Sequence, residues 1–600
     1  MYPNNRKIDV PPLRRSDWSK FDLQAFSKHK DRLRSPTAAS ATYSSMLAYA
    51  RSTRRALTTV IRAPITPTVQ SLLHPLLPVE ASPRIFKSPY PPIETSPQTA
   101  WELIQKPIQD KPDAPALVCG ASHEHMTFGE FHTAVQKVAT SLAQRGVSKG
   151  DVVLTNMINC MEFPILYHAL TALGAVLSPA PPMFTAAELA RQMTISKASF
   201  LVTHNAVEAA MKEAAFAYGI ASDRCFAAGP STSMQRFSVL QEVQDIQVPH
   251  VTIDPLRDIN YLPFSSGTTG LPKGVKLSFW NLAVNMQQLA SMEPYTSPLI
   301  LVLPYYHIYG TMLLNTSLLV GQPQVILPKF DPHTFLHALQ KYKIEKAHVA
   351  PPIVALLAKH PDIDNFDLSA TKYFISGAAP LGAGLEGAIY DRLGIKIKQG
   401  YGMTELSPLS NYSRDSLEKS GASGHLVPGT ELRVVCPTTQ KDLGPNEVGE
   451  LWIRGPQVML GYLDNDKATQ ETMAPCGFLK TGDLGYIGDE GHVYVVDRLK
   501  ELIKYKGRQV APAELEDLML KHPKVFDVAC IRGYTADRDE FPMACVVVQP
   551  GETLTPEELM EFVAGQVASF KKIRQVVFVP SIPKSGSGKI LRRELQALYS

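Results

Sequence analysis

The chain has 600 residues, of which 44% are hydrophobic and 19% are charged, and its formal net charge is +4. This is an ordinary globular composition, and the length exceeds what one hydrophobic core holds, so we expect at least two domains. The sequence has no run of about 18 uncharged apolar residues, which argues against a transmembrane helix. The seven cysteines show neither a C-x-x-C pair nor metal-ligand spacing, which argues against a disulfide framework or zinc site and favours a reducing compartment.

Basic residues are concentrated at the start of the chain. Up to residue 80 there are 13 Lys and Arg against 5 Asp and Glu, whereas the remainder carries 47 against 51. Because the body of the chain is slightly acidic, its charge does not predict a nucleic-acid partner. The oligomeric state is left open.

The basic start has the makeup of a targeting segment. No acidic residue stands between Asp31 and Glu80, and a helical wheel separates a basic side from an apolar side. The basic side has Arg51, Arg54, Arg55 and Arg62, and the apolar side has Tyr49, Ala56, Leu57, Val60 and Ile61. This pattern predicts a mitochondrial presequence, with Met46 as a candidate true start. The alternative is a disordered basic tail on a cytoplasmic protein. The final "ALYS" is not an S-K-L type peroxisomal signal.

After this start, prolines predict that residues 63–97 form an extended linker rather than a packed element. From residue 98 onward, strand-like segments alternate with helix-like ones, which predicts an α/β fold of layered, largely parallel sheets. The predicted strands are "DVVLTNM", "ASFLVTH", "PLILVLP", "QVILPK" and "KYFISGA", and the predicted helices are "AVEAAMKEAAFAYG" and "FLHALQKYK".

The pattern changes towards the end of the chain. Closely spaced strands around residues 430–497 predict a β-rich subdomain, and the last hundred residues alternate on a smaller scale, as in a small α+β domain. We therefore predict an extension over 1–97, a large domain over 98–497 and a small domain over 498–600.

The segment "SSGTTGLPKGV", residues 265–275, follows the strand-like "INYLPF". Its glycines and hydroxyls offer backbone N–H groups and side-chain donors to an anion, which predicts a phosphate-binding loop. It is not the Walker pattern, because Lys273 is followed by Gly274 and the glycine spacing differs.

Further motifs follow in a fixed order. They are "YYHIYG" (305–310), "ISGAAPLG" (375–382), "QGYGMTE" (399–405), "LKTGDLGY" (479–486), "DRLKELIKYKGRQVAPAELE" (497–516) and "PKSGSGKILRREL" (583–595). Together with the loop they resemble the adenylate-forming superfamily of acyl-CoA synthetases, firefly luciferase and peptide-synthetase adenylation domains. The long motif is most similar to the 4-coumarate–CoA ligase branch. The resemblance covers residues from about 98 to 598.

The resemblance implies a reaction in two steps with ATP, Mg²⁺, coenzyme A and a carboxylic acid. The carboxylate attacks the α-phosphate of ATP to give an acyl-adenylate and pyrophosphate, and the thiol of coenzyme A then displaces AMP. Both steps concentrate negative charge, so fixed donors, cations and Mg²⁺ are expected to dominate catalysis.

The resemblance also implies the roles of the nucleotide-binding residues. Tyr401 stacks on adenine in a slot lined by Ala378 and Gly400, and Asp483 holds the ribose hydroxyls with help from Arg498. Glu405, beside Thr404, suits Mg²⁺ that bridges phosphate oxygens. The loop that grips the departing pyrophosphate consists of Ser265, Ser266, Gly267, Thr268, Thr269, Gly270 and Lys273.

The catalytic residues implied by the resemblance belong to two conformations. His307 lies near the carboxylate and α-phosphate, and Lys589 bridges the two. After adenylation the small domain rotates about a hinge placed at Lys500, which withdraws Lys589 and presents "YKGRQ" instead. Gly507 then flanks the pantetheine channel, and Lys504 and Gln509 take part in thioester formation.

The acyl pocket is assigned to Tyr306, Gly310 and Ile375. Hydroxycinnamate enzymes tend to carry a lysine at the position of Ile375, and it meets the ring hydroxyl. Isoleucine cannot donate a hydrogen bond, and burying a phenol without a partner costs roughly 1–3 kcal/mol. The predicted substrate is therefore an apolar fatty or aryl acid. A 4-coumarate–CoA ligase proper, an enzyme that passes the acyl group to another acceptor or to oxygen, and an inactive binding protein are the alternatives.

Overall fold

The structure is a computed structural model that describes residues 84–600 apart from residues 95, 266–271, 380, 536 and 587. It has a large N-terminal and a small C-terminal domain of mixed α/β structure, as predicted. The helices of the described residues are Ala100–Asp110, Phe128–Gln144, Glu162–Ala172, Ala186–Ser196, Glu208–Tyr218, Phe279–Met292, Ile308–Leu319, Pro332–Lys341, Pro351–Lys359, Ala383–Leu393, Asp466–Thr472, Pro512–Leu520, Pro556–Ala564 and Arg592–Tyr599. None of these helices is both long and apolar enough to cross a membrane.

The large domain contains sheets that are mainly parallel at their centres. One sheet has Val152–Asn156, Val176–Ala180, Phe200–His204, Cys225–Ala228, Gln235–Arg236, Ile259–Tyr261, Phe264–Ser265, Lys273–Ser278 and Gly461–Tyr462. A second has Lys346–Val349, Tyr373–Ser376, Lys396–Gly402, Leu409–Tyr412 and His425–Leu426. A smaller one has Pro115–Cys119, His125–Thr127, Leu299–Leu301 and Gln324–Ile326. Strands buried on both faces by helices account for the continuous apolar runs of the sequence.

The predicted β-rich subdomain is present as an antiparallel sheet of Phe86–Lys87, Glu431–Val435, Gly449–Arg454, Leu479–Ile487 and Val493–Arg498. The small domain follows with the hairpin Ile503–Tyr505 and Arg508–Val510 and the sheet Val525–Tyr534, Glu540–Val548 and Gln575–Phe578. The small domain has hydrophobic clusters of its own, separate from that of the large domain. The boundary between residues 497 and 498 stays a prediction.

Helix starts are fixed by local sequence. Capping boxes pair Thr127 with Glu130 and Ser278 with Asn281, and in each pair the two residues satisfy each other's backbone N–H groups. The strand and helix segments named from the sequence are confirmed, because each contains an element of the predicted type.

The interpretation of residues 63–97 as unpacked is wrong for its described end. Phe86 pairs with Leu432 and Lys87 with Glu431, and the Ser88 amide donates to the carbonyl of Thr430 at 2.9 Å. Phe86 and Tyr90 also pack against the main hydrophobic core. Prolines suit an edge strand, since its outer N–H groups need no partner. Composition alone therefore could not distinguish this edge strand from a linker.

Candidate active site

The phosphate side of the site is built around a hairpin. Ser265 is paired with Lys273 and Phe264 with Gly274 across its two antiparallel strands. The ammonium of Lys273 lies 5.0 Å from the ring centroid of Tyr462, and the Tyr462 hydroxyl donates to Glu405 Oε1 at 3.0 Å. The structure thus brings Lys273 and Glu405 together through one tyrosine. The predicted loop residues Ser266, Gly267, Thr268, Thr269 and Gly270 lie outside the described residues.

Tyr462 was missed by the sequence interpretation. It lies on the strand Gly461–Tyr462, which pairs with the hairpin strand Lys273–Ser278, and this pairing sets the ring beside Lys273. Burial and the neighbouring Glu405 carboxylate raise the pKa of Tyr462, so its hydroxyl stays protonated and donates. A Gly-Tyr pair is too common in sequences to have signalled this role.

Glu405 is buried, with a relative exposure of 5%. It lies in a 3₁₀ turn that begins at Thr404, just after the strand Lys396–Gly402. The described residues contain no cluster of three or more His, Cys, Asp or Glu side chains arranged for a metal. Mg²⁺ is usually held by one or two carboxylates together with substrate phosphates, and a single buried carboxylate beside the phosphate hairpin fits that donor set.

Tyr401, Asp483 and Arg498 are connected in one chain of contacts. The Tyr401 hydroxyl donates to Asp483 Oδ2 at 2.7 Å, and Arg498 Nε lies 3.4 Å from Asp483 Oδ1. Burial raises the pKa of Asp483, while Arg498 acts in the opposite direction. The predicted adenine and ribose residues therefore meet, with Tyr401 and Arg498 at the ends of their strands and Asp483 in the middle of its own.

Two backbone features flank Tyr401. Ala378 adopts a φ of +73°, which is unusual for a residue with a side chain and is a form of strain found at ligand sites. A β-carbon on Gly402 would lie 1.9 Å from the carbonyl oxygen of Pro408, so only glycine fits there. Gly400 and Thr404 are half-buried, as expected of residues that line a cleft.

His307 immediately precedes the helix Ile308–Leu319. Its Nδ1 accepts from the Tyr309 amide at 3.3 Å, so the proton of a neutral ring resides on Nε2. Burial and the nearby Lys589 ammonium lower the pKa of His307 to about 4. His307 is thus a neutral hydrogen-bond donor at neutral pH.

The loop that carries Lys589 belongs to the small domain but lies against the large one. A β-carbon on Gly586 would lie 1.8 Å from the Tyr306 hydroxyl, so the absence of a side chain permits this approach. Gly588 has a φ of +85° and lies against Ala350 and Pro352. The two glycines of "GSGK" therefore allow the small-domain loop to lie close against the large domain.

Lys589 itself is half-buried and lies among charged residues. Burial and then Arg498 lower its pKa to about 8, while Glu501 and Asp483 oppose that shift. Lys589, His307, Asp483 and Arg498 are therefore close enough to affect one another electrostatically, as the adenylation assignment requires.

A cavity of about 330 Å³ lies beside this loop and has openings to solvent. Its lining includes Asn159, Tyr306, Phe330, Pro352, Lys584 and Gly586. Burial raises the pKa of Tyr306 to about 12, so it stays a neutral hydroxyl in the cavity wall.

The other two predicted acyl-pocket residues do not line this cavity. Gly310 is buried, and a β-carbon there would lie 2.1 Å from the carbonyl oxygen of Pro304. Ile375 is fully buried on the strand Tyr373–Ser376, in register with His348 and Lys398 on the flanking strands. Their assignment to the acyl site stays a prediction.

The residues assigned to thioester formation are not at the site in this conformation. Lys504, Gly507 and Gln509 are exposed on the hairpin Ile503–Tyr505 and Arg508–Val510. A β-carbon on Gly507 would meet nothing within 4 Å. Lys589 is therefore at the site while the second set faces solvent.

The family model of the AMP-binding enzyme matches residues 104–463, and that of the AMP-binding enzyme C-terminal domain matches residues 514–589. The chain is 39% identical over 536 residues to the probable 4-coumarate–CoA ligase 1 of Dictyostelium discoideum, covering 85% of this chain and 97% of that protein. It is 40% identical over 503 residues to the 4-coumarate–CoA ligase 2 of Nicotiana tabacum, covering 82% and 92%.

The fold is similar to that of solved structures. The crystal structure of ATP-bound MatB from Rhodopseudomonas palustris superposes with a TM-score of 0.76 at 28% identity, covering 84% of this chain and 99% of that one. The first matched region contains Lys273, Tyr401 and Glu405, the second contains Lys589, and Asp483 lies between the two. The chain belongs to the AMP-binding enzyme family.

Proposed function

We propose that this protein is an AMP-forming acyl-CoA ligase that activates a carboxylic acid with ATP and transfers the acyl group to coenzyme A. The relatives named as 4-coumarate–CoA ligases support this reaction class. The observation that carries the proposal is the seating of the Lys589 loop against Tyr306, which brings a cation from the small domain to the Tyr401–Asp483 pair of the large domain.

In the first step a carboxylate oxygen of the acid attacks the α-phosphorus of ATP, and pyrophosphate leaves. The Lys589 ammonium draws the carboxylate and the α-phosphate together. His307 donates a hydrogen bond from Nε2 to an oxygen of one of these two groups. Asp483 holds the ribose, and Tyr401 covers the adenine. Lys273 and its loop grip the leaving pyrophosphate. Glu405 would hold Mg²⁺, which would supply neutralising charge on the phosphates.

In the second step the thiol of coenzyme A loses its proton and attacks the acyl carbon, and AMP leaves with the bonding electrons. The small domain must first rotate about a hinge near Lys500, because Lys504, Gly507 and Gln509 face solvent in this conformation. This rotation is a gating step that separates the two half-reactions. Lys504 and Gln509 then take the place of the Lys589 loop.

The proposed acyl group is an apolar fatty or aryl chain. The argument is the isoleucine at position 375, which offers a ring hydroxyl no hydrogen bond. A 4-coumarate–CoA ligase proper is the second candidate, because relatives of that name cover most of this chain. The two candidates are distinguished by the acids that they use, tested with fatty acids, benzoate, cinnamate and 4-hydroxycinnamate.

The test is a panel of these acids assayed for AMP release and acyl-CoA formation with ATP and Mg²⁺, with and without coenzyme A. The expected result is AMP release that depends on coenzyme A for at least one acid and is lost in Lys589→Ala. Acyl-adenylate that accumulates and is indifferent to coenzyme A would favour another acceptor. No turnover of any acid would refute the ligase.

The protein is further proposed to be mitochondrial, on the strength of the arginine face described in the sequence. A reporter fused to residues 46–97 should enter mitochondria, and replacing Arg51, Arg54, Arg55 and Arg62 with Gln should abolish entry, because the basic face is lost while the apolar face is kept. A reporter that stays in the cytosol contradicts the proposal. Import of the four-Gln version would contradict the role of the arginines.

A further inference from the structure

The small domain touches the large one at a second place, away from the Lys589 loop. There the helix Pro512–Leu520 faces the start of the helix Ala383–Leu393. A β-carbon on Gly382 would lie 1.2 Å from Asp517 Oδ1 and 2.1 Å from its Cγ. One on Gly384 would lie 2.7 Å from Lys521 Cε. The two helices therefore meet through positions that lack side chains.

Backbone conformation does not explain the glycine at position 382. Its φ is −75° and its ψ is 149°, which any residue adopts. The contact with Asp517 does explain it, since the whole carboxyl group occupies the space that a side chain would need. By contrast, Gly387 on the same helix has nothing within 4 Å of an added β-carbon.

The contact also has a favourable electrostatic component. Gly382 provides no side-chain cap to the helix Ala383–Leu393, and the Asp517 carboxylate lies at this end. A negative charge near a helix N-terminus is stabilised by the unpaired backbone N–H groups there. Lys521 is paired with Asp517 at 3.0 Å, and its stem covers Gly384.

Other bonds between the domains belong to the same arrangement. The ammonium of Lys359 donates to the carbonyl of Val525 at 3.1 Å, and Gly586 lies against Tyr306. All these contacts exist while Lys589 is at the site. A rotation of the small domain that withdraws Lys589 must break them, because they link the two domains directly.

We infer that Gly382 is a positioning residue for adenylate formation: it forms a seat for Asp517 that holds the small domain where Lys589 reaches the substrate. The inference rests on the proposed function and adds to it a site that touches no substrate. Because the seat is vacated before thioester formation, it serves one half-reaction only.

The first test is Gly382→Ala, with Gly387→Ala as the matched control. Pyrophosphate release, with the best acid of the panel, should fall about tenfold or more in Gly382→Ala, because misplacement of about 1 Å can cost a larger factor. Thioester formation from supplied acyl-adenylate should stay at the wild-type rate, which also reports that the protein is folded. Gly387→Ala should match wild type in both steps.

The second test is rescue. Asp517→Ala removes the obstructing carboxyl group, so the double variant Gly382→Ala/Asp517→Ala should regain pyrophosphate release to within about fivefold of wild type, the remainder being the lost helix-end interaction. If Gly382 were needed only for the stability of the large domain, the substitution of Asp517 in the small domain would not restore pyrophosphate release. Failure of this rescue would overturn the inference.

Charge reversal provides a variant that leaves the large domain unchanged. Asp517→Lys places a cation at the helix start and should lower pyrophosphate release selectively, whereas Glu561→Lys, at an exposed position of the helix Pro556–Ala564, should not. Equal losses in both half-reactions, or no loss, would count against the seat. An inactive wild type would instead refute the proposed function, so the two failures are distinguishable.

Discussion

The pKa of Lys589 lies closer to neutral pH than that of an ordinary lysine. Its proposed role requires a cation, and burial lowers its pKa to about 8 in the free protein, so it loses its proton as the pH rises through that value. We therefore expect kcat/KM for ATP in pyrophosphate release to decline above about pH 8, because this parameter reports the free enzyme. Thioester formation from supplied acyl-adenylate should not follow this decline. The same pH dependence in both steps would contradict the role of Lys589.

Ile375 provides a test of acyl specificity. Ile375→Lys puts an ammonium into a fully buried position and should weaken the use of aliphatic acids, while 4-hydroxycinnamate should gain relative to them. Ile375→Leu is the matched control and should keep the wild-type order of substrates. The measurement is kcat/KM across the acid panel, with thermal unfolding to confirm folding. Unchanged selectivity would show that Ile375 does not face the acyl group.

At the scale of elements, the strands Lys346–Val349, Tyr373–Ser376 and Lys396–Gly402 rest on a buried ionic cluster. Lys346 and Lys398 each contact both Glu293 and Asp415, and Glu293 and Lys398 are fully buried. The Tyr412 hydroxyl also donates to Glu293. Two lysines and two acids balance, so the cluster is neutral as a unit.

Removing one lysine should leave the buried cluster with a net negative charge, because two acids then share one cation. Lys398→Met should lower the free energy of unfolding by about 3–5 kcal/mol. Lys396→Met, two residues away, removes an exposed pair with Glu418 and should change it by less than about 1 kcal/mol. Denaturant unfolding of both variants makes the comparison. Equal small effects would mean that the cluster does not stabilise the strands.

Of these three strands the sequence predicted only Tyr373–Ser376, within "KYFISGA", and it did not predict the cluster beneath them. That strand is short and apolar, so local pattern was sufficient, whereas Lys346–Val349 and Lys396–Gly402 contain lysines that obscure such a pattern. The four residues come from separate parts of the chain: Lys346 and Lys398 lie on strands, Glu293 follows a helix and Asp415 lies in a turn. Nothing local distinguishes such a lysine from a surface one. Tyr462 was missed for the same reason, because its role depends on which strand pairs with the strand Gly461–Tyr462.

At the scale of the whole molecule, the motif residues converge although they are spread over more than half of the chain. Tyr401, Asp483, Arg498 and Lys589 were predicted from their motifs, and the structure brings them together. What the sequence could not supply is the conformation. It predicted residues for both half-reactions but not which set lies at the site in this structure.

Substitutions of Lys589 and substitutions of the exposed Lys504 and Gln509 should slow different half-reactions. Lys589→Ala should abolish most pyrophosphate release while sparing thioester formation from acyl-adenylate, because Lys589 belongs to the first conformation only. Lys504→Ala and Gln509→Ala should do the reverse. Single-turnover measurements of each half-reaction provide the comparison. An adenylation defect confined to the Lys504 or Gln509 variant would refute the alternation of the domains.

The short strand Phe86–Lys87 limits how much of the chain's beginning is expendable. It covers the outer edge of Glu431–Val435, and an uncovered edge is a template for pairing between molecules. A chain shortened to start at residue 98 should self-associate, as light scattering would reveal, whereas one that starts at residue 84 should not. A maturation protease could therefore remove the basic start without harm only if it cut ahead of Arg84, which anchors to Asp442.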